Sequence, residues 1–232
     1  MCSYSTNPSQ IRAMFARIAK RYDLNNRIHA LGLDQACRRR AVREARIHGG
    51  EAVLDAACGT GDLTILFRRA GAGRVVGLDF CPEMLDIARK KFPASEIEWM
   101  AGDAMALPFE AGQFDVASTA YGLRNMADPV AALREFFRVL RRRGRLVVLE
   151  FRRPSGVFPG ALLRFYLDHV LPWTAGAIAA DRAGAYHYLC ESMKSFMTAE
   201  QLAQAIGRCG FSGVGSRLLT PGVAAIHIGT RP

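Results

Sequence analysis

The sequence predicts an α/β fold. We expect a seven-stranded, mostly parallel sheet with an antiparallel last strand, preceded by N-terminal helices and interrupted by a helical cap insertion. Short apolar runs alternate with helical stretches from Glu51 onwards, which is typical of βαβ units and a parallel sheet. A glycine-rich loop joins the first apolar run to the first helical stretch. Two apolar runs separated by Pro221-Gly222 end the chain and predict an antiparallel hairpin at the sheet edge.

Two helices are predicted ahead of the sheet. Asn7-Pro8 supplies an N-cap residue followed by proline at the first helical position. Apolar residues then recur at helical spacing from Ile11 to Tyr22, and basic residues occupy the other face. A second, basic helix is expected over about 34–46. We therefore expect residues 1–48 to form a helical lid in front of the main domain, residues 49–232.

The main domain is predicted to alternate strands and helices. The predicted strands are 52–56, 75–79, 97–100, 114–119, 145–150, 214–219 and 223–228. The predicted helices are 62–70, 82–92 and 129–140. Thr198-Ala199-Glu200-Gln201 matches a capping box and opens a further helix that ends near Gly210. The alternation lapses over 151–197, a stretch rich in aromatic residues and histidine, which we predict to be the helical cap.

The composition is that of a globular protein without a metal or a membrane span. Hydrophobic residues make up 50% of the 232 residues and charged residues 22%, which excludes low-complexity and disordered classes. The longest weakly apolar run, 170–180, is far shorter than the roughly 20 residues of a membrane-spanning helix. The six cysteines and five histidines are scattered without zinc spacing. We expect reduced thiols, no metal and, since residues 1–10 lack an apolar segment, a cytoplasmic protein.

The loop between the first strand and the first helix carries the sharpest functional signal. It reads Val53-Leu54-Asp55-Ala56-Ala57-Cys58-Gly59-Thr60-Gly61-Asp62. Glycines let the backbone turn sharply and approach a ligand, at the position where open α/β sheets bind cofactors, although a tight turn alone would also use them. A dinucleotide does not fit, because Thr64 stands where its fingerprint requires a third glycine and Asp55 would repel phosphates. S-adenosylmethionine carries an ammonium and a sulfonium and no phosphate, so we predict it as the cofactor. The predicted contacts in this loop are Asp55, Ala57, Gly59, Thr60 and Gly61.

Two further strand ends complete the predicted cofactor site. Asp79 ends the second strand, 18 residues after Gly61, where its carboxylate can accept both ribose hydroxyls. Phe80 follows it and is included in the site. Asp103 and Ala104 follow the third strand, and we expect Asp103 to accept the adenine amino group. Met105 and Leu107 are expected to form an apolar wall beside the adenine.

The segment after the fourth strand, Ala120-Tyr121-Gly122-Leu123-Arg124-Asn125, is expected to face the methyl acceptor. It lacks the Asn or Asp followed by two prolines and an aromatic residue that amino-methylating enzymes of nucleic acids show there. Cys81 precedes Pro82 instead of following a proline, which disfavours cytosine C5 chemistry. No carboxylate cluster suggests a metal-dependent catechol enzyme. We therefore expect neither nucleic acid as a substrate nor a metal.

Selective motifs are spread over residues 15–229. They are Lys20-Arg21-Tyr22-Asp23 with Asn26, the Asp55 to Asp62 loop, Ala106-Leu107-Pro108-Phe109, Phe114-Asp115, Gly122-Leu123-Arg124-Asn125, Leu149-Glu150-Phe151, His169-Val170-Leu171-Pro172, Tyr186-His187-Tyr188-Leu189 with Ser192, and Leu219-Thr220 with His227 and Gly229. On these motifs the chain resembles the C-methyltransferases of menaquinone and ubiquinone biosynthesis. The resemblance implies a Rossmann-like class I methyltransferase that methylates a ring carbon of a polyprenylated quinol, in the first place demethylmenaquinol. A benzoquinol of the ubiquinone pathway and another small aromatic acceptor remain alternatives.

The resemblance also implies a mechanism. A quinone ring is electrophilic, whereas a quinol that has lost a proton pushes electron density onto its ortho carbon, so the enzyme must favour the phenolate and hold it in line with the sulfonium. Arg124 is predicted to stabilise the phenolate and Asn125 to orient Arg124. The alternative is that Arg124 is a salt-bridged or exposed loop arginine without a part in the reaction. His169 and Tyr186 are further candidates for the base.

The sequence departs from the family at three places. Cys37 stands where the family usually has tryptophan, Arg141-Arg142-Arg143-Gly144 replaces a Lys-Pro-Gly-Gly turn, and Ala120 replaces a frequent serine. The missing hydroxyl puts position 120 in doubt as a cofactor contact, and the missing tryptophan is expected to reshape the substrate mouth.

The charge and the predicted acceptor together suggest a membrane surface. Lys and Arg total 31 against 21 Asp and Glu, a net charge of +10, which attracts anions. Because a prenylated quinol lies in the bilayer, we expect transient contact between the basic N-terminal helices and the inner face of the membrane. A solvated helix face explains the same basic residues equally well. A basic RNA-binding protein that senses S-adenosylmethionine is a further alternative, although no RNA-binding motif supports it. The sequence leaves a homodimer open.

Overall fold

The computed structural model describes residues 8–30, 32–94, 96–152, 188, 191–193, 195–219 and 224–232. The helices are α1 (Pro8–His29), α2 (Leu33–Ala45), α3 (Thr64–Arg69), α4 (Pro82–Lys91), α5 (Pro129–Val139) and α6 (Ala199–Arg208), with a 3₁₀ turn at Leu123–Asn125. The strands are β1 (Ala52–Ala56), β2 (Arg74–Asp79), β3 (Glu98–Ala101), β4 (Phe114–Ala120), β5 (Leu140–Phe151), β6 (Ser212–Leu219) and β7 (Ala224–Thr230).

The seven strands form one sheet in the order β3-β2-β1-β4-β5-β7-β6. Strand β7 runs antiparallel to both of its neighbours, and the other pairings are parallel. The predicted antiparallel last strand is therefore confirmed. The strand order reverses direction between β1 and β4, and open α/β sheets bind ligands at the carboxyl ends of the strands beside such a switch point.

Apolar residues cover both faces of the sheet. On one face α5 and α6 pack against the strands through side chains that include Phe136 and Leu202. On the other face Phe67 of α3 and Ala41 of α2 join Val53 and Val75 in the core. Helix α1 packs mainly on α4, where Ala19 meets Cys81 and Met84. The capping box predicted at Thr198 is present and fixes the start of α6.

Strand β5 differs from its predicted extent, because it begins at Leu140 and not at residue 145. The sequence of the arginine-rich segment after Leu140 indicates a turn, and in the structure Arg143 adopts a positive φ of 60°. However, the backbone N–H of Arg143 donates to the carbonyl of Arg231, and that of Arg231 donates to the carbonyl of Gly144. These bonds pair the segment with the end of the chain, so it continues the strand across an irregularity in the β4–β5 register.

Most of the helical cap predicted at 151–197 lies outside the described residues. The division into a lid at 1–48 and a main domain at 49–232 stays a prediction, although α2 packs on β5 and β7 and so shares the sheet's own helical layer. Among the helices of the described part of the chain, none combines the length and the apolar character needed to cross a bilayer.

Candidate active site

A cavity of about 730 Å³ lies at the carboxyl edge of the sheet, between the ends of the strands and α1. This volume is in the range of small-molecule sites. Residues from α1 line one wall: Ser9, Arg12, Ala13, Phe15, Ala16 and Tyr22. The opposite wall consists of Ala57, Gly59, Leu78, Asp79, Phe80, Glu83, Met84, Gly102, Asp103, Ala104, Met105, Ala120, Tyr121, Gly122, Asn125, Met126 and Ala127.

The cavity brings together seven of the predicted site residues and leaves out four of those that the structure describes. Those that line it are Ala57, Gly59, Asp79, Phe80, Asp103, Ala104 and Asn125. Asp55, Thr60, Gly61 and Arg124 lie behind its wall. His169 and Tyr186 lie outside the described residues.

Asp55 lies in β1, next to the loop 57–63 that joins β1 to α3 and is here called the cofactor loop. Its carboxylate accepts hydrogen bonds from the hydroxyls of Thr64, at 2.7 Å, and Ser118, at 2.9 Å. Burial raises the pKa of Asp55 to about 6, although both hydroxyl bonds act against the rise. Asp55 is buried and is not among the residues that line the cavity, so it joins β1 to α3 and β4 instead of presenting a carboxylate to the cavity.

The loop above Asp55 follows an unusual backbone path. Ala57, Gly59 and Gly61 have positive φ angles of 54°, 56° and 83°. A side chain on Gly61 would overlap the ring of Trp99, so this glycine is required by both its φ and its packing. The path turns the backbone of Ala57 and Gly59 towards the cavity, while the Thr60 hydroxyl points to α1 and donates to Asp23 at 2.5 Å.

Asp79 lines the cavity at the end of β2. One carboxylate oxygen accepts the backbone N–H of Gly59 at 2.7 Å, and the other accepts that of Cys81 at 2.9 Å. Burial raises the pKa of Asp79 to about 6, against the effect of these backbone hydrogen bonds. A carboxylate has about four acceptor positions, so Asp79 keeps capacity for ribose hydroxyls on the side that lines the cavity.

The residues after the third strand divide between the cavity and the core. Asp103 lines the cavity, and its Oδ1 accepts the backbone N–H of Met105 at 2.8 Å. Met105 also lines the cavity, as expected for the apolar wall. Leu107 does not, because it is buried in the core beneath the sheet. Phe80 and Leu78 stand in the wall instead.

Tyr121 shapes the other end of the cavity, after β4. It has a positive φ of 61°, and its ring stacks on Phe151 with the centroids 4.3 Å apart. The guanidinium of Arg38 lies 5.2 Å from the same ring. Gly122 follows, and a side chain there would stand 2.6 Å from the Cβ of Ala57. Segment 120–125, here called the acceptor segment, therefore packs directly on the loop that contains Ala57.

Arg124 forms a buried ion pair. Its Nη1 donates to Glu150 at 2.6 Å and to the carbonyl of Tyr121 at 2.7 Å, and its side chain is 6% exposed. The guanidinium also lies 4.9 Å from the Phe151 ring. These contacts favour the salt-bridged alternative over a cation that faces the acceptor. The buried Nε of Arg124 has no hydrogen-bond partner within the described residues.

Asn125 lines the cavity together with Tyr121 of the same segment. Its Nδ2 donates to the carbonyl of Tyr121 at 3.2 Å, and its Oδ1 accepts the hydroxyl of Tyr188 at 3.2 Å. A carbonyl can only accept, so these two bonds fix which end of the amide is which. The second hydrogen on Nδ2 has no partner among the described residues, so it is available to a ligand.

Sequence reasoning missed two contributions to the site. Tyr188 was noted as part of a family motif but was given no role, and nothing local indicates that its hydroxyl reaches Asn125. The wall formed by α1 was predicted only as a lid, although Tyr22 and Asp23 within Lys20-Arg21-Tyr22-Asp23 gave a signal for direct contact. No group of three or more histidine, cysteine or acidic residues that could hold a metal occurs in the described segments.

The strand order, the glycine loop and the acid that ends β2 define a class I S-adenosylmethionine-dependent methyltransferase. The lining residues fit this cofactor, since Asp79 can accept ribose hydroxyls beside an apolar wall. Arg12 is the one basic residue among the described lining residues, which therefore do not form a basic site for a diphosphate. A solved methyltransferase from Thermotoga maritima, described as a possible histamine N-methyltransferase, matches with a TM-score of 0.67 at 20% identity, covering 96% of this chain and all of that one. This likeness shows the shared fold.

Within that class, the model of the ubiE/COQ5 methyltransferase family matches residues 4–231, and the chain belongs to this family. A demethylmenaquinone methyltransferase of Thermus thermophilus is 48% identical over 223 residues, covering 94% of this chain and 100% of the relative. One from Deinococcus radiodurans is 46% identical, covering 95% and 92%. A ubiquinone/menaquinone biosynthesis C-methyltransferase of Citrifermentans bemidjiense is 38% identical over the full length of both chains.

Proposed function

We propose that this protein methylates a ring carbon of a polyprenylated quinol, with demethylmenaquinol as its acceptor. The family membership carries the proposal, and two relatives at 46% and 48% identity are demethylmenaquinone methyltransferases by name. A benzoquinol of the ubiquinone pathway is the second candidate, because the relative at 38% identity is named for both pathways.

The cavity has two ends with different chemistry. Asp79, Phe80 and Asp103 lie at the ends of β2 and β3, where we place the ribose and adenine of the cofactor. Tyr121 and Asn125 lie beyond β4, where we place the quinol ring. S-adenosylmethionine supplies an electrophilic methyl group on a positively charged sulfur. The protein then has to hold a ring carbon in line with that methyl, which lowers the barrier by proximity.

Asn125 is the residue that we assign to the acceptor oxygen. The quinol hydroxyl must lose its proton before the ortho carbon forms a bond to the methyl, and the methylated carbon must then lose its own proton to restore the aromatic ring. The second N–H of Asn125 can donate to the phenolate oxygen and favour its charge. Arg124 acts through the same segment, because it shares the Tyr121 carbonyl with Asn125. His169 and Tyr186 remain candidates for the base.

The product identifies the acceptor. Purified protein is incubated with S-adenosylmethionine and, in separate reactions, demethylmenaquinol, a demethylated polyprenyl benzoquinol and a water-soluble phenol, and the products are identified by mass spectrometry. We expect menaquinol and S-adenosylhomocysteine in the first reaction. Methylation of the benzoquinol alone would move the assignment to the ubiquinone pathway, and methylation of the phenol alone would refute a quinol function.

We also propose that α1 contacts the inner face of the membrane, where the quinol lies, from the cytoplasm. Leu24 is 58% exposed, and the basic residues Arg17, Lys20 and Arg27 lie three to seven residues from it on the same helix face. An exposed leucine among basic residues suits an anionic leaflet, to which each Lys or Arg contributes about 1 kcal/mol.

Liposome co-sedimentation tests this contact. Leu24→Ser should lower the fraction bound to vesicles that contain anionic lipid, and raised salt should lower it for the parent protein. Leu218→Ser is the matched control, because Leu218 is 59% exposed on β6, away from α1. Equal binding by the parent and both variants would argue against a membrane role for α1.

A further inference from the structure

Helix α1 and the cofactor loop are joined by one carboxylate. Both oxygens of Asp23 accept hydrogen bonds from residues outside α1. Oδ1 accepts the hydroxyl of Thr60 at 2.5 Å, and Oδ2 accepts Nζ of Lys91 at 2.6 Å. Thr60 lies between Gly59 and Gly61 in the loop, and Lys91 is the last residue of α4. Asp23 therefore connects three elements that surround the cofactor position.

The contact continues as a partly buried polar cluster. Lys91 also pairs with Asp62, and Gln35 of α2 donates to the second oxygen of Asp62 at 2.7 Å. Burial alone would raise the pKa of Asp62. The hydrogen bond and charge of Lys91, with the charge of Arg38 and the hydrogen bond from Gln35, outweigh burial and hold that pKa below its ordinary value. The side chains of Asp23 and Lys91 are only 24% and 21% exposed, so water screens their attraction less than on an open surface.

We propose that Asp23 is a positioning residue that couples the closure of α1 over the cofactor to the conformation of the cofactor loop. Residues of α1 form one wall of the cavity and Gly59 belongs to the other, so a bound cofactor touches both. Withdrawal of α1 breaks the bonds from Asp23 to Thr60 and to Lys91. It frees the Thr60 hydroxyl and leaves Lys91 with Asp62 alone. The closed helix thus holds the loop in its binding shape, and the bound cofactor in turn holds the helix closed.

Asp23 does not line the cavity, so its effect on the cofactor passes through Thr60 and α1. The apolar contacts of α1, such as Ala19 on Met84, would hold the helix in place without any coupling to the loop. The two explanations differ in what the ion pair controls. Coupling predicts that loss of the Asp23 charge speeds release of the cofactor product, whereas simple helix anchoring predicts lower thermal stability without a specific change in release.

The dissociation rate of S-adenosylhomocysteine, measured by stopped-flow displacement with excess S-adenosylmethionine, tests the coupling. Asp23→Asn keeps an acceptor for Thr60 and removes the negative charge that pairs with Lys91. We expect product release about tenfold faster, within the range of coupling energies in side-chain networks. Thr60→Val removes only the hydroxyl, and we expect it to speed release as well. The double variant should release product less than multiplicatively faster, because both changes break one connection. Raised salt should accelerate release from the parent and not from Asp23→Asn.

The matched control is Glu98→Gln, which removes the acid of an ion pair with Arg74 outside the cavity. We expect its release rate to equal that of the parent. An unchanged rate in both Asp23→Asn and Thr60→Val would overturn the proposal, as would an equal increase in Glu98→Gln. Should Asp23→Asn fail to fold, Thr60→Val alone decides by the same rates. The coupling requires only the S-adenosylmethionine site, so these measurements need no quinol, and failure of the proposed acceptor would leave them valid.

Discussion

Replacing Arg124 with methionine tests which of two roles this arginine has: a structural ion pair with Glu150, or a cation that stabilises the acceptor phenolate. The side chains of Arg124 and Glu150 are 6% and 1% exposed, and their charged atoms are 2.6 Å apart. Removal of one partner from such a pair leaves the other charge buried and costs about 3–5 kcal/mol. Glu150 would still accept the backbone N–H groups of residue 124 and Phe151, so we expect the lower end, about 3 kcal/mol.

Thermal unfolding measures this loss. In a chain of this size about 1 kcal/mol shifts the Tm by about 2–4 °C, so Arg124→Met should lower the Tm by about 6–12 °C. The double variant Arg124→Met with Glu150→Gln should recover part of the loss, because it removes the unpaired buried charge and keeps an acceptor for the backbone N–H groups of residue 124 and Phe151. Arg74→Met is the matched control, since Arg74 and Glu98 form an exposed pair worth at most about 1 kcal/mol.

Turnover and stability together decide the role of Arg124. If the ion pair is structural, the double variant regains activity along with its Tm. If Arg124→Met keeps the Tm of the parent but loses turnover, and the double variant does too, the reasoning from burial is refuted and the arginine acts on the acceptor.

Three further outcomes are expected. Gly122→Ala should cost about 1–3 kcal/mol and weaken cofactor binding in calorimetry, because its Cβ would lie 2.6 Å from that of Ala57; Gly207→Ala, with open space around it, should not. Tyr188→Phe should lower kcat about fivefold without changing the cofactor Kd, since it removes one hydrogen bond to Asn125; an unchanged kcat would exclude that bond from catalysis. The pKa of Asp79 is raised to about 6, and ribose hydroxyls need the ionised carboxylate, so cofactor affinity should fall as the pH drops below about 6.

The pH dependence of folding should have the opposite sign. A carboxyl whose folded pKa lies above its unfolded value binds its proton more tightly in the folded state. Asp79 and Asp55 should therefore each add stability to the cofactor-free protein as the pH falls from above about 6 towards about 4. His227 should act in the opposite sense over the same range, because burial lowers its pKa to about 4. Asp79→Asn should remove part of the gain from the two carboxyl groups in chemical denaturation at several pH values. The same pH dependence in Asp79→Asn as in the parent would contradict the raised pKa of Asp79.

Local sequence patterns predicted most of the fold, because the spacing of apolar residues follows the buried face of each strand or helix. The run 52–56 matches β1 residue for residue, and the capping box at Thr198 marks the start of α6. The start of β5 was wrong because the pairing of Arg143 with Arg231 joins segments far apart in the chain. Leu107 was misplaced for a similar reason, since nothing near it in sequence indicates that it turns into the core.

Charged residues in the site show where sequence reasoning stops. Asp79 could be assigned because a parallel sheet brings every strand's carboxyl end to one edge, so its place follows from the strand alone. Arg124 and Asp23 also stand in selective motifs, but their roles depend on Glu150 and Lys91, partners that no spacing rule connects to them. A paired charge has little capacity left for a ligand. In the described part of the chain, Arg124 keeps an unpaired Nε but does not line the cavity, whereas Asn125 lines it with an unused N–H. For this reason Asn125, and not its charged neighbour, is the side chain expected to meet the acceptor.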